Sequence, residues 1–119
     1  MTSVIARIPV RFAAIRRQFG KHKYNEQRIM DYPSWQARVF PHFAFGFTSC
    51  FACRNINNMW LKNEQNVFDP YNHEVREMHA IISVIKPITT WHLVRATQEY
   101  REACGGLGIS AYSKMPEII

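Results

Sequence analysis

Two arginines stand directly before a glutamine, an aromatic residue and a glycine in the segment Arg16-Arg17-Gln18-Phe19-Gly20. A guanidinium group binds phosphate through two parallel hydrogen bonds, so this pair could hold an anionic ligand. The same side chains would also be favourable at the carboxyl end of a helix, where the helix dipole is negative. The residues alone leave these two interpretations open.

A second candidate segment is Cys104-Gly105-Gly106-Leu107-Gly108. Glycines at this density let the backbone approach a flat or anionic ligand closely. A dinucleotide-binding loop would follow a β-strand, whereas the residues before Cys104 follow a helical pattern. Because glycines also end helices, the segment by itself predicts a helix end and only weakly indicates a ligand.

The remaining reactive side chains do not form a recognisable metal or redox site. Cys50 and Cys53 have the spacing of a redox motif or half a zinc site, but no second pair accompanies them. They lie inside an aromatic helical run, so we expect buried, inert thiols. The five histidines lack metal-ligand spacing and are expected on the surface or paired with neighbours. The residues therefore predict no metal site.

Apolar residues recur with the 3.6-residue period of an α-helix through three segments. They predict helices near residues 3–18, 33–61 and 72–103, with no sheet of three or more strands. The connections between the segments are short. We therefore predict an all-α fold, an antiparallel bundle of three long, partly kinked helices.

The predicted helix ends rest on a few residues. Gly20 is expected to end the first helix in the left-handed conformation. Asp31 is expected to cap the second helix, with Pro33 in its first turn. Pro41 and Pro87 lie inside the second and third helical patterns and should kink those helices.

The chain has 119 residues, of which 47% are hydrophobic and 20% are charged. This length allows one domain, and the composition excludes a disordered tail. No apolar run approaches the ~18 residues of a membrane-spanning helix, so no membrane span is expected. Three cysteines, an odd number, argue against a disulfide-stapled secreted scaffold.

The net charge of +6 comes from residues 1–30, where the only acidic side chain is Glu26. Such a basic block is typical of phosphate or nucleic-acid binding, of an organelle-targeting peptide or of a solvated helix face. The charge is confined to one helix and lacks interleaved base-reading asparagine or glutamine. We therefore expect no nucleic-acid partner.

Residues 40–53 carry five phenylalanines and only one side chain that can become charged, His42. A helix that is apolar all round is buried all round. Three helices of this size cannot cover such a segment by themselves. We therefore expect another subunit, or a further part of a longer chain, to pack against it.

Four blocks of the sequence together resemble the peroxisomal acyl-CoA oxidases of the acyl-CoA dehydrogenase superfamily. The likeness covers nearly the whole chain except the polar stretch at 62–71, and it continues loosely into residues 110–113. The blocks follow the family's order and spacing, and they span residues 10–20, 31–41, 77–87 and 98–106.

In that family these helices form an α-domain that follows a central β-domain and lines the FAD site of a homodimer. The resemblance implies that Arg16, Gln18 and Phe19 contact the diphosphate and adenosine region of FAD across the subunit interface. It also implies that the backbone at Gly105 and Gly106 closes on the cofactor. Both implications agree with arginine's fit to phosphate and with the space that glycine leaves.

The chain also departs from the family pattern. Leu107, Gly108 and Ile109 stand where the family usually has His-Gly-Tyr, and Pro9 replaces a small helix former. The resemblance places the family's catalytic glutamate further downstream than this sequence, so no residue here is expected to be catalytic. We expect residues 1–119 to be a partial acyl-CoA oxidase α-helical domain without the β-domain and the downstream catalytic segment.

For the complete enzyme the resemblance implies FAD-dependent desaturation of an acyl-CoA to trans-2-enoyl-CoA, with reduction of dioxygen to hydrogen peroxide, in peroxisomal fatty acid β-oxidation. Its implied partners are the acyl-CoA substrate and a second copy in a homodimer. Peroxisomal residence is implied by the family alone, since the sequence ends in Pro-Glu-Ile-Ile rather than in a peroxisomal signal. The alternative is a catalytically dead truncated copy that acts, if at all, as a helical interaction or dimerisation module.

Overall fold

The computed structural model describes residues 5–20, 25–69 and 71–115. Four helices follow one another in this part of the chain: α1 (Arg7–Ile15), α2 (Pro33–Asn63), α3 (His73–Ala103) and the single turn α4 (Gly106–Ile109). Three short 3₁₀ turns lie between and after them, at Ile29–Asp31, Glu64–Asn66 and Ala111–Ser113. No sheet is present in the described residues, which include an antiparallel bridge between Arg17 and Arg28. The predicted all-α class is confirmed.

The two long helices, α2 and α3, form an antiparallel hairpin. At the loop end, Asn63 Nδ2 donates a hydrogen bond to the Glu74 carboxylate at 2.9 Å. At the open end, Arg38 near the start of α2 pairs with Glu99 and Glu102 near the end of α3. Each helix has 31 residues, and their bounds agree closely with the two predicted from the apolar period.

The start of α2 is set by a proline. Pro33 occupies the first turn, and Tyr32, whose backbone is extended, is the N-cap residue. Proline suits this position because its φ is already helical and an N–H there would have no partner in the helix. The prediction that Asp31 caps the helix is wrong, because its carboxylate pairs instead with Arg28, 3.1 Å away.

The start of α3 has a side-chain cap. Asn72 Oδ1 accepts hydrogen bonds from the backbone N–H groups of Glu74 (3.0 Å) and Val75 (3.3 Å), which would otherwise lack partners. Pro41 and Pro87 lie inside α2 and α3, and both helices continue through them; the kinks stay a prediction. Within the described residues, no helix has the length and hydropathy needed to cross a membrane.

The first helix is shorter than predicted, because residues 16–19 leave it to pair with residues 27–29. Three backbone hydrogen bonds join these stretches: Gln18 N–H to Gln27 O (3.0 Å), Gln27 N–H to Phe19 O (2.7 Å) and Ile29 N–H to Arg16 O (3.0 Å). Helix α1 therefore ends at Ile15 instead of near residue 18. The fold is a long helical hairpin with a short first helix, rather than a bundle of three long helices.

Gly20 does not end α1 as predicted. The left-handed conformation belongs to its neighbour Phe19, at φ 56°. A Cβ atom at position 20 would lie 2.1 Å from the carbonyl oxygen of Asn25. Glycine is needed there because two backbone segments approach each other closely, not because a helix needs a cap.

The core lies at the open end of the hairpin, where α1 and the residues after α3 pack against it. Its buried apolar side chains are Ile5, Ala6, Ala13, Trp35, Val39, Ala96, Tyr100, Cys104 and Met115. Those of α2 come from its first third, and those of α3 from its last third. Burial of apolar surface is the main favourable term in folding, so this end anchors the structure.

The outer part of the hairpin is largely uncovered. Phe47 and Phe51 of α2 are 54% and 66% exposed, and Val84 and Ile88 of α3 are also exposed. The radius of gyration is 19.3 Å, whereas a compact chain of this length has one of about 13–14 Å. The chain alone leaves the phenylalanine-rich segment exposed, and its covering by another subunit or domain stays a prediction.

Two histidines meet between the long helices. His42 Nδ1 and His92 Nε2 are 3.1 Å apart, and the ring of Phe45 stacks on His92 with centroids 3.6 Å apart. Burial, the neighbouring His42 and the positive charge of Arg95 lower the pKa of His92. In the described part of the chain, no three metal-ligating side chains are grouped to hold a metal ion.

We expect the folded chain to lose stability as the pH falls below the ordinary histidine pKa of about 6.5. The pKa of His92 is lower in the folded than in the unfolded chain. At a pH between the two pKa values the unfolded chain therefore binds more protons, and acidification lowers the free energy of unfolding. His92→Gln should reduce this pH dependence. Urea unfolding of both proteins at about pH 7.5 and about pH 5 measures it; an equal loss of stability in both would contradict the expectation.

The expectation that Cys50 and Cys53 are buried is wrong. Both thiols are exposed on α2, whereas Cys104 is buried at the end of α3. Burial raises the pKa of the Cys104 thiol to about 11. The aromatic residues around Cys50 and Cys53 favour burial, but the pair would be buried only if another subunit or domain packed against this part of α2.

The three thiols should therefore differ in reactivity. At about pH 8, Cys50 and Cys53 should react readily with a disulfide reagent, while Cys104 should react only on unfolding, because the thiolate is the reactive form. Counting fast-reacting thiols in the folded chain tests this. A Cys104→Ser variant should keep the fast phase, and a Cys50→Ser/Cys53→Ser variant should lose it; fast reaction of Cys104 would show that the core is open.

Candidate functional site

A cleft at the open end of the hairpin brings together four of the five residues that the resemblance assigns to cofactor binding. Arg16 and Gln18 border it from the stretch after α1, and Gly105 and Gly106 border it from the turn after α3. The cleft has a volume of about 420 Å³. Its other lining residues are Phe12, Ile29, Glu102, Ala103, Cys104 and Leu107. Two segments from opposite ends of the chain thus form one concave surface.

Phe19, the fifth predicted residue, does not line this cleft. It borders an adjoining cleft of about 380 Å³, whose other lining residues include Tyr32 and Arg38. Gln18 and Glu102 border both clefts. Phe19 is 73% exposed, so its ring could pack against a ligand that extends from one cleft into the other.

The backbone of Arg16 is hydrogen-bonded, whereas its guanidinium group has no partner among the described residues. Its carbonyl accepts a hydrogen bond from Ile29 N–H (3.0 Å), and its own N–H donates to Phe12 O (2.8 Å). Among the described residues, no hydrogen bond or ion pair engages the Arg16 side chain, whereas Arg17 donates to the carbonyl of Glu26 at 3.2 Å. Arg16 is the C-cap residue of α1, so both interpretations stay open: its charge lies at the carboxyl end of a helix, and no described carbonyl accepts a hydrogen bond from its side chain.

Gln18 is held from both sides. Its backbone N–H donates to Gln27 O at 3.0 Å, and its carbonyl accepts a hydrogen bond from Tyr32 Oη at 2.9 Å. Because Tyr32 is the N-cap residue of α2, this bond ties the stretch that carries Arg16 to the start of the hairpin.

The three glycines after α3 serve different purposes. Gly105 has φ 56° and ψ −137°, a backbone conformation that favours glycine. At Gly108 a Cβ atom would lie 2.0 Å from the carbonyl oxygen of Arg101, so packing requires glycine. At Gly106 a Cβ atom would meet nothing within 4 Å, and its φ is not left-handed. Folding therefore explains glycine at 105 and 108, but not at 106, which faces open space beside the cleft.

A carboxylate at the border of the cleft is held by a small ion cluster. Arg38 Nη2 lies 2.5 Å from Glu102 and 2.6 Å from Glu99, and Gln98 donates to Glu102 at 2.8 Å. These hydrogen bonds, from Gln98 first and then from Arg38, lower the pKa of Glu102. The same two carboxylates raise the pKa of Arg38. The cluster keeps Glu102 ionised and paired.

Sequence reasoning did not single out Tyr32, Arg38 or Glu102. Arg38 is separated from its two partners by 61 and 64 positions, and no local pattern reveals such a pair. One signal did exist: Glu99 and Glu102 lie one turn apart at a helix carboxyl end. Two carboxylates at that spacing repel each other, and the negative end of the helix dipole repels both. Such a pair indicates a basic partner elsewhere in the chain.

The hairpin and its cleft define an α-helical domain in which an arginine and two glycines line one ligand-sized space. A family model described as "Acyl-CoA oxidase, C-alpha1 domain" matches residues 1–119. The chain belongs to the acyl-CoA oxidase family, and the resemblance drawn from its sequence is confirmed.

Individual relatives agree with the family assignment. Peroxisomal acyl-coenzyme A oxidase 1 of Rattus norvegicus is 32% identical over 112 residues, which cover 93% of this chain and 17% of the rat protein. Peroxisomal acyl-coenzyme A oxidase 3 of Homo sapiens is 31% identical over 113 residues, which cover 91% of this chain and 16% of the human protein. The chain spans less than a fifth of the length of these relatives.

Solved structures show the same fold. Acyl-CoA oxidase-1 of Caenorhabditis elegans, in a complex with FAD and ATP, superimposes with a TM-score of 0.88 at 27% identity, over 98% of this chain and 18% of that one. Acyl-CoA oxidase 3 of Yarrowia lipolytica has a TM-score of 0.80 at 26% identity, over 98% and 18% of the two chains.

Substitution of the two glycines on either side of Leu107 should have different effects on stability. Gly108→Ala forces a Cβ onto the Arg101 carbonyl and should destabilise the chain by about 1–3 kcal/mol. Gly106→Ala meets open space and should change the free energy of unfolding by less than about 0.5 kcal/mol. Urea or thermal unfolding of the two variants measures both; similar losses would mean that position 106 is packed.

Proposed function

We propose that this chain is the helical part of an acyl-CoA oxidase that binds the diphosphate of FAD in the cleft between Arg16 and Gly105-Gly106. The observation that carries the proposal is that Arg16, whose guanidinium has no partner among the described residues, lines the same cleft as Gly106, where a Cβ atom would meet nothing within 4 Å. Membership of the acyl-CoA oxidase family and likeness to a relative solved with FAD support it.

The residues present fit such a group. A diphosphate carries negative charge, and an arginine fork binds it through charge-assisted hydrogen bonds. The backbone at Gly106 leaves the volume of a missing Cβ open, so an anionic group could approach it closely. Gln18 would add amide donors at the border of both clefts, and exposed Phe19 would pack on the adenosine region in the adjoining one.

In the complete enzyme, bound flavin would accept the hydride when an acyl-CoA is desaturated to trans-2-enoyl-CoA, and dioxygen would then be reduced to hydrogen peroxide. The residues of this chain would bind and orient the cofactor. None of them is assigned to proton abstraction from the substrate.

The proposal extends to assembly and location. A homodimer would let the cleft of one subunit complete the flavin site of the other and would cover exposed apolar side chains such as Phe47 and Phe51. The rat and human relatives are named peroxisomal, and we assign the same compartment to this chain.

Arg16→Ala in a complete oxidase carrying this segment should weaken FAD binding. The substitution removes a charge-assisted hydrogen bond worth roughly 1.5–3 kcal/mol, so affinity should fall about 10- to 100-fold. Arg16→Lys should recover only part of the loss, because an ammonium keeps the charge without the planar fork. Titration of the apo-enzyme with FAD, with the melting temperature of the apo form recorded in parallel, measures both effects.

Two matched variants make this experiment specific. Arg17→Ala removes the neighbouring arginine, which does not line the cleft, and should leave FAD affinity nearly unchanged. Gly106→Ala should weaken FAD binding without lowering the apo melting temperature, because only the ligand competes for that space. Unchanged FAD affinity in Arg16→Ala and Gly106→Ala would contradict the proposal and favour a pairing module without flavin.

A further inference from the structure

The cleft lined by Arg16, Gly105 and Gly106, called the flavin cleft below, has an acidic side chain at its border. Glu102 lines both the 420 Å³ cleft, which contains Arg16, and the adjoining 380 Å³ cleft. It lies in the last turn of α3, which ends at Ala103. The negative end of the helix dipole makes that position unfavourable for a carboxylate. A free carboxylate there would repel an anionic ligand and attract the Arg16 guanidinium.

Arg38 holds this carboxylate from the other helix. Its Nε donates to Glu99 at 2.7 Å and its Nη2 donates to Glu102 at 2.5 Å, so one guanidinium bridges both carboxylates. Gln98 holds the second Glu102 oxygen at 2.8 Å. All four side chains of the cluster belong to the hairpin and none to α1, which leaves Arg16 outside the cluster.

A contribution to folding stability does not by itself explain the ion cluster of Arg38, Glu99 and Glu102. The side chains of Arg38 and Glu102 are each 47% exposed, and exposed ion pairs contribute little to folding. Arg38 also changes the charge that an anion meets in the cleft. Its guanidinium offsets part of the negative charge of Glu102, although one arginine and two carboxylates keep a net negative charge in the cluster.

We propose that Arg38 is a positioning residue of the proposed flavin cleft: it holds Glu102 in an ion pair that excludes Arg16 and reduces the repulsion between Glu102 and the diphosphate. This inference rests on the proposed function of the cleft. Without Arg38, Glu102 is free to pair with Arg16, and the cofactor has to displace that pair.

The test is a double-mutant cycle in a complete oxidase carrying this segment, with FAD titrated into each apo-enzyme. Arg38→Gln should weaken FAD binding roughly 3- to 10-fold, the effect expected of one uncompensated charge near the ligand. Glu102→Gln should bind FAD at least as tightly as the parent. The double variant should return to within about 3-fold of the parent, since no free carboxylate then borders the cleft; Glu99, which also loses Arg38, lines neither cleft.

A conservative variant and an ion pair outside both clefts serve as controls. Arg38→Lys keeps the charge and should retain most of the affinity. Arg28→Gln breaks a comparable exposed ion pair with Asp31, which borders neither cleft, and should not change FAD affinity. Apo melting temperatures recorded for every variant show whether a loss of affinity is only a loss of folding.

The outcomes separate this inference from the function on which it rests. Recovery of FAD affinity in the double variant supports it, because a purely structural Arg38 would leave the double variant as weak as Arg38→Gln. If Arg16→Ala weakens FAD binding but Arg38→Gln does not, or if the double variant does not recover FAD affinity, the inference about Arg38 is wrong. If Arg16→Ala also has no effect, the proposed diphosphate site itself is wrong.

Discussion

The antiparallel register of α2 and α3 determines where every other part of the structure lies. It places the first turns of α2 beside the last turns of α3, as the Arg38 cluster shows. In the described part of the chain, the cluster of buried apolar side chains lies at this end, with Trp35 and Val39 on one helix and Ala96 and Tyr100 on the other. Because α1 packs into the same core, the residues that follow it are brought to the residues that follow α3.

The candidate site depends on this register and on one local interruption. If α1 continued to residue 18, Arg16 would lie on a helix rather than in the extended stretch that now borders the cleft. The pairing of residues 16–19 with 27–29 stops the helix at Ile15 and fixes the backbone of Arg16. The guanidinium therefore extends from a rigid backbone, a condition that precise binding of a charged ligand requires.

The sequence predicted the bounds of the long helices well, because Pro33 lies in the first turn of α2 and α3 keeps an apolar stripe over many turns. In α2 apolar residues lie on several sides of the helix, so its pattern shows a helix but not which face is buried. Prediction from the sequence failed where partners distant in sequence decide the conformation. Pairing with residues 27–29 ends α1 early, and Arg28 takes the carboxylate that was expected to cap α2. The five proposed cofactor-binding residues came from family resemblance; physical reasoning alone left Arg16 undecided.

Burial was harder to predict than helix formation. Apolar neighbours indicated that Cys50 and Cys53 would be inside, but the chain alone exposes them. The accessible surface is 8911 Å², against about 6,700 Å² expected for a compact monomer of this mass. An apolar sequence pattern indicates which side chains favour burial, but it does not show what packs against them. The phenylalanine-rich part of α2 therefore lies exposed in this chain although its composition is that of a buried helix.

On the proposed function, Arg16 and the open backbone at Gly106 hold the diphosphate of FAD. The most direct test is an experimental structure of a complete oxidase carrying this segment, with FAD bound, and the measured distance from the Arg16 guanidinium nitrogens to the diphosphate oxygens. We predict at least one such distance of about 2.7–2.9 Å, as in charge-assisted hydrogen bonds. A diphosphate bound elsewhere, with the Arg16 side chain still in solvent, would contradict the claim.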